Sequence, residues 1–74
     1  IDLLMITPSG KKAVFEIKFS NTPKLTKGFY EASKDLAPDY SYVITPSGET
    51  LEKENGVKVI ALVDFLELEL ESLV

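Results

Sequence analysis

The 74-residue sequence contains no cysteine, no histidine and no tryptophan, and all eight of its basic residues are lysine. Without His or Cys, the chain cannot assemble a Ser-His-Asp or Cys-His nucleophilic site of its own, nor a zinc centre built on those ligands. Zero cysteines also mean no disulfide framework, which fits a reducing cytoplasm. The lack of arginine removes the planar fork that grips phosphate bidentately. No apolar run approaches the roughly 18 residues of a membrane span, and no basic segment leads into an apolar one as in a signal peptide. The chemistry that remains is that of carboxylates, ammonium groups and hydroxyls.

Hydrophobic residues make up 45% and charged residues 27% of the chain, a balance that belongs to folded domains rather than disordered segments. A chain of this length buries only about 60–65% of its unfolded surface, so the core is expected to be thin. Residues 1–74 are read as one domain. Ile1-Asp2-Leu3-Leu4-Met5-Ile6 looks like a strand already in progress, and the chain is expected to be a piece of a longer protein. The net charge is −4. Acids gather late (Glu49, Glu52, Glu54, Asp64, Glu67, Glu69, Glu71), whereas lysines gather early (Lys11, Lys12, Lys18, Lys24, Lys27, Lys34). That asymmetry gives the first half a modest basic surface, short of the basic face of a free-standing DNA-binding domain.

Punctuation divides the chain into a β-β-α-β-β-α order. Residues 1–7 read as a strand and Thr7-Pro8-Ser9-Gly10 as a turn. Lys11 to Ser20 is a second strand whose alternation separates Ala13, Phe15, Ile17 and Phe19 from Val14, Glu16, Lys18 and Ser20. Thr22-Pro23 is the expected start of a helix, with Leu25, Phe29, Ala32 and Leu36 as its core stripe and Pro38 ending it. Gly28 inside that helix suggests a close approach. Tyr40 to Thr45 is a third strand, 49–55 a polar loop, and Gly56 to Leu62 a fourth strand. Asp64 to Leu73 is an acidic amphipathic segment, read as helical, although its Leu-Glu alternation also fits a strand. The recurrence of Ile-Thr-Pro-Ser-Gly at 6–10 and 44–48 is shared turn chemistry, because the flanking sequences diverge. The expected fold is α/β: a small mixed sheet with a helix across one face.

One constellation stands out. Asp2 on the first strand and Glu16-Ile17-Lys18 on the second form an Asp…Glu-x-Lys pattern, in which two carboxylates can hold a hard cation against a phosphodiester. With eight Glu and eight Lys in the chain, about 0.8 Glu-x-Lys triplets are expected by chance, so placement matters more than occurrence. Asp2, Glu16 and the Ile17 carbonyl are candidate Mg²⁺ ligands, and Lys18 the group that orients water or offsets transition-state charge. Cross-strand partners share a face. Asp2 therefore meets Glu16 only if their loop has an odd count centred on Ser9. The plainer alternative makes Glu16 and Lys18 a solvated ion pair and Asp2 a frayed terminal residue. Ser20, Thr22 and Lys27 are read as loop polar groups before phosphate contacts, and Tyr30, Tyr40 and Tyr42 as core-edge packing before base-stacking platforms.

Ile1-Asp2-Leu3-Leu4, Phe15-Glu16-Ile17-Lys18-Phe19-Ser20, Pro23-Lys24-Leu25 leading to Gly28-Phe29, and Val59-Ile60-Ala61-Leu62 before Phe65-Leu66 together resemble a known family. It is the C-terminal domain of unknown function of prokaryotic AAA-type ATPases, of the PD-(D/E)XK nuclease-like superfamily. The resemblance covers most of the chain and implies a restriction-endonuclease-like core attached to an upstream ATPase domain. On that pattern Asp2, Glu16 and Lys18 match the catalytic positions, with Mg²⁺ as cofactor and nucleic acid as a partner. The helix and strand start that often help build such a site do not precede Asp2 in this sequence. The expected function is Mg²⁺-dependent phosphodiester hydrolysis or nucleic-acid binding in the cytoplasm. A catalytically silent protein-interaction module is the alternative.

Overall fold

The computed structural model describes all of residues 1–74. Five strands form one mixed sheet: β1 (Leu3–Ile6), β2 (Lys12–Ile17), β3 (Tyr40–Thr45), β4 (Leu51–Glu52) and β5 (Val57–Ala61), in the spatial order β1-β2-β3-β5-β4. The three inner strands run parallel, and both edge strands are antiparallel to their neighbours. Helix α1 (Lys27–Leu36) makes the crossover from β2 to β3. After β5 the chain turns into a C-terminal helix built from α2 (Leu62–Asp64), a π turn (Phe65–Glu69) and α3 (Leu70–Leu73).

Pleat alternation explains why two helices are needed. On β3, Tyr42 and Ile44 face one way and Val43 the other. Tyr42 and Ile44 join Ala13, Phe15 and Ile60 under Phe65 and Leu73 of the C-terminal helix. Val43 joins Val57 and Val59 under Phe29 of α1. Residues 41–45 are all buried, as expected for a central strand covered on both faces.

The architecture is α/β with a mixed sheet, as the sequence suggests, but the order carries one more strand. Leu51 and Glu52, expected in a polar loop, pair antiparallel with Val59 and Lys58. A 3₁₀ turn (Glu54–Gly56) then returns the chain, with Asn55 and Gly56 both at positive φ. The second strand ends at Ile17 rather than Ser20. Helix α1 starts later than Thr22-Pro23 suggests. Its N-cap is Thr26, whose Oγ1 accepts the Phe29 N–H at 3.1 Å. Segment 20–25 is instead tied elsewhere: the Ser47 N–H donates to Asn21 Oδ1 at 3.1 Å. Gly28 consequently lies in the first turn, and an added Cβ there would meet only Thr26 Oγ1 at 3.7 Å, so the expected close approach is not found.

The segment with Leu-Glu alternation is helical, and its π turn sets which residues meet the sheet. The Leu70 N–H bonds back to the Phe65 carbonyl, five residues earlier. That wider turn brings Leu70 under the same face as Phe65 and Leu73, which regular helical spacing would not do.

Candidate functional site

The loop joining β1 to β2 decides whether Asp2 and Glu16 can meet. Thr7 and Lys11 close it: the Thr7 N–H donates to the Lys11 carbonyl at 2.8 Å, and the Lys11 N–H to Thr7 Oγ1 at 3.0 Å. Gly10 supplies the positive φ of +85° that the turn needs. The loop thus spans Thr7 to Lys11 and centres on Ser9. The ladder pairs Leu3 with Phe15, Leu4 with Val14, Met5 with Ala13 and Ile6 with Lys12. Each pair of numbers sums to 18, the register that would carry Asp2 to the level of Glu16 if it ran one residue further.

At Asp2 the ladder slips by one. Its N–H donates to the Phe15 carbonyl at 2.8 Å, a bulge-like step at the strand entrance. Its side chain then acts like a missing piece of strand: Asp2 Oδ2 accepts the Ile17 N–H at 2.7 Å. This carboxylate is held against the β2 backbone instead of fraying, with its other oxygen in no protein hydrogen bond. The Ile17 N–H and, in extended backbone, its carbonyl face the same edge. Asp2 and the Ile17 main chain are therefore brought together.

Glu16 points to the α1 face beside its parallel neighbour Val43. Its Oε2 lies 3.4 Å from Lys18 Nζ, and its Oε1 lies 3.3 Å from the Ile1 nitrogen. The Glu16 side chain is 17% exposed and that of Lys18 34%, so this is a half-sheltered pair. No group of three or more Asp, Glu, His or Cys residues is gathered closely enough to hold a metal by side chains alone. Any cation here would rest on Asp2, Glu16 and a backbone carbonyl. That set is made only of hard oxygens, the donor type Mg²⁺ requires.

The other polar candidates stay local. Ser20 Oγ accepts the Thr22 N–H at 3.2 Å, and Lys27 pairs with Glu31 at 3.7 Å. Tyr42 packs within the core, stacked on Phe15 with ring centroids 5.4 Å apart and edge-on to Phe65 at 5.0 Å. A concavity of about 750 Å³, lined by Tyr30, Ser33, Lys34, Ser41 and Val57 among others, lies at the amino ends of β3 and β5. The constellation occupies the opposite, carboxyl end of β2, where parallel α/β sheets place their ligands. Convergent chemistry is the better guide here than hollow volume.

One cluster escapes the sequence altogether. Glu69 Oε1 accepts both the Tyr42 hydroxyl and the Lys58 ammonium, each at 3.1 Å. Burial first, then the bond to Glu69 and its negative charge, raise the Tyr42 phenol above its ordinary value. A raised phenol pKa stabilises the fold while pH stays below the ordinary value near 10, and that contribution fades as pH climbs beyond it. A tyrosinate absorbance titration of the wild type and Tyr42→Phe checks this. The step lost in the variant is expected above pH 10, and the wild type is expected to lose thermal stability over that window more steeply than the variant. No spacing along the chain announces this triad, because its members come from β3, β5 and the C-terminal helix.

With the hairpin, crossover helix and parallel strands in place, the family model described as Domain of unknown function (DUF4143) matches residues 1–65. The chain belongs to the DUF4143 family. The match runs from β1 to Phe65, so this DUF4143 domain contributes the whole sheet, α1 and the start of the C-terminal helix to the shared pattern. Neither a curated protein nor a solved structure gives a significant match to the chain. No helix of this DUF4143 domain is long and apolar enough to cross a membrane.

Proposed function

We propose that this chain is a nuclease-like domain of the PD-(D/E)XK type, carried in the cytoplasm by a polypeptide with an upstream ATPase domain, and that its Asp2–Glu16–Lys18 end engages Mg²⁺ and a nucleic-acid phosphodiester. The observation that carries this reading is the Asp2 carboxylate held on the Ile17 N–H at 2.7 Å, one residue along the neighbouring strand from Glu16. The hairpin feeding α1 and then a parallel strand supports the restriction-endonuclease-like comparison.

Asp2, Glu16 and the Ile17 carbonyl would hold the cation. Mg²⁺ so bound supplies charge neutralisation and a more acidic water. The protein's part is positional. The Ile17 N–H orients the Asp2 carboxylate by binding one oxygen and leaves the other for a ligand. Lys18 now neutralises Glu16, and the same ammonium is within reach of a phosphoryl oxygen brought to that carboxylate. With a net charge of −4 and no arginine, phosphate contacts are few, so nucleic-acid affinity is expected to be weak and to fall with added salt.

Calorimetric titration with Mg²⁺ and Mn²⁺ tests the site. Binding is expected for the wild type, loss of binding for Glu16→Ala, and retained binding without cleavage for Lys18→Met. Absence of heat from either cation in the complete polypeptide would sink the reading. A second reading, a catalytically silent docking module, is favoured by β1, whose Leu3, Leu4 and Ile6 are exposed although both faces of that strand are apolar. Intact folding without metal binding selects it.

A further inference from the structure

We infer that the sheet face under the C-terminal helix carries a docking groove for a basic amphipathic helix of a partner protein, laid between that helix and β1. The π turn fixes the geometry. Glu69 leans toward β5, where it meets Lys58. Leu70 leans the other way and packs with Met5 of β1 against the same core cluster. Leu62 and Leu66, four residues apart, share the flank on the Leu70 side.

Exposed apolar side chains lie on the same face of the sheet as that helix. Leu3 pairs with Phe15, on which Phe65 packs edge-on with ring centroids 5.4 Å apart. Ile17, two residues on from Phe15 on the same face, pairs with the core residue Ile44. Leu3, Ile17, Leu62 and Leu66 are each between 50% and 54% exposed. Each is thus half covered by the fold and half open along one strip. An apolar strip bounded by a helix on one side and a strand edge on the other suits an i, i+3, i+4, i+7 ridge.

Charge selects the occupant. Glu67 and Glu71 are one turn apart on the outer side of Leu66 and make no ion pair, nor does Asp64. The last basic residue of the chain is Lys58, so nothing cationic on this helix offsets its rim. A second copy of this chain would bring the same acids against it, and an acidic membrane surface or nucleic acid would be repelled. A helix with leucines flanked by lysines or arginines fits both the strip and the rim. The groove takes the Ile17 side chain, whose main chain belongs to the candidate metal site, but its tests rest on Leu66, Glu67 and Glu71, none of which that site uses.

The test uses an 18-residue Leu/Lys amphipathic peptide as probe, with its Leu/Glu counterpart as control, in fluorescence anisotropy against the intact chain. The Leu/Lys peptide is expected to bind and the Leu/Glu peptide not. Leu66→Lys, with its fold checked by circular dichroism, is expected to weaken binding at least about tenfold, the scale of losing one leucine contact and facing like charge. Glu67→Lys with Glu71→Lys should weaken it comparably, while Leu68→Lys on the opposite flank leaves it unchanged. Equal binding of both peptides, or equal effects of Leu66→Lys and Leu68→Lys, overturns the proposal. So does a dimer in sedimentation that Leu66→Lys dissociates, because the occupant is then a second copy.

Discussion

Phe65→Ala is expected to remove about 3–5 kcal/mol of stability, the usual range for deleting a buried phenyl ring. Phe65 is the residue that fastens the C-terminal helix to the sheet: its ring meets Phe15 at 5.4 Å and Tyr42 at 5.0 Å, both edge-on. A domain of this size has roughly 4–11 kcal/mol in total at 0.05–0.15 kcal/mol per residue, so at least about a quarter of its stability rests on one side chain. The melting midpoint should fall by at least roughly 12 °C, at about 4 °C or more per kcal/mol for a chain this short. Leu68→Ala in the same helix, on an exposed leucine, should stay within about 0.5 kcal/mol. Urea titrations of the two variants provide the comparison. Similar midpoints would mean that the helix contributes little to the fold.

Phe29→Ala is expected to have an effect of the same order, about 3–5 kcal/mol, through the other face of the sheet. The cluster under α1 has only four buried members, and Phe29 is the one that α1 itself supplies, against Val43, Val57 and Val59. Its partly buried neighbours Leu25 and Tyr30 are poor substitutes. Loss of helical signal in circular dichroism should accompany the loss in stability. The two phenylalanines sit on opposite faces with no shared partner, so their effects in a double mutant are expected to add, which would leave the domain largely unfolded. A double mutant no worse than either single would show that the faces do not hold the sheet independently.

Much of this arrangement is legible in the residue pattern because alternation is a local signal. Val14, Glu16 and Lys18 set against Ala13, Phe15 and Ile17 give the faces of β2 directly. The sequence sets an odd loop centred on Ser9 as the condition for Asp2 to meet Glu16; the loop is odd, but the ladder slips before Asp2. The start of α1 is misread because Thr22-Pro23 carries the same local signature as a real N-cap. Thr26 caps the helix itself by accepting the Phe29 N–H, while the Asn21 side chain binds the backbone of Ser47, 26 residues away in sequence. Leu51 and Glu52 are missed for a related reason: two residues are too few to show a period, and only the neighbouring β5 makes them a strand. At the candidate site, Asp2 and Glu16 are found in the sequence. The use of the Asp2 carboxylate as a stand-in for a strand carbonyl is not, because that role depends on a one-residue slip of the ladder.

The π turn between Phe65 and Leu70 bears on how chains of this kind can be lined up with one another. It contains one residue more than a regular turn needs to connect the same two core positions. Removing a single outward residue from it would let an ordinary turn present Phe65, Leu70 and Leu73 to the sheet in unchanged order. A one-residue gap at this point is therefore structurally silent, and an ungapped comparison across it would shift Leu70 and Leu73 out of register with their counterparts. The match to the family ends at Phe65, where this extra residue begins to matter.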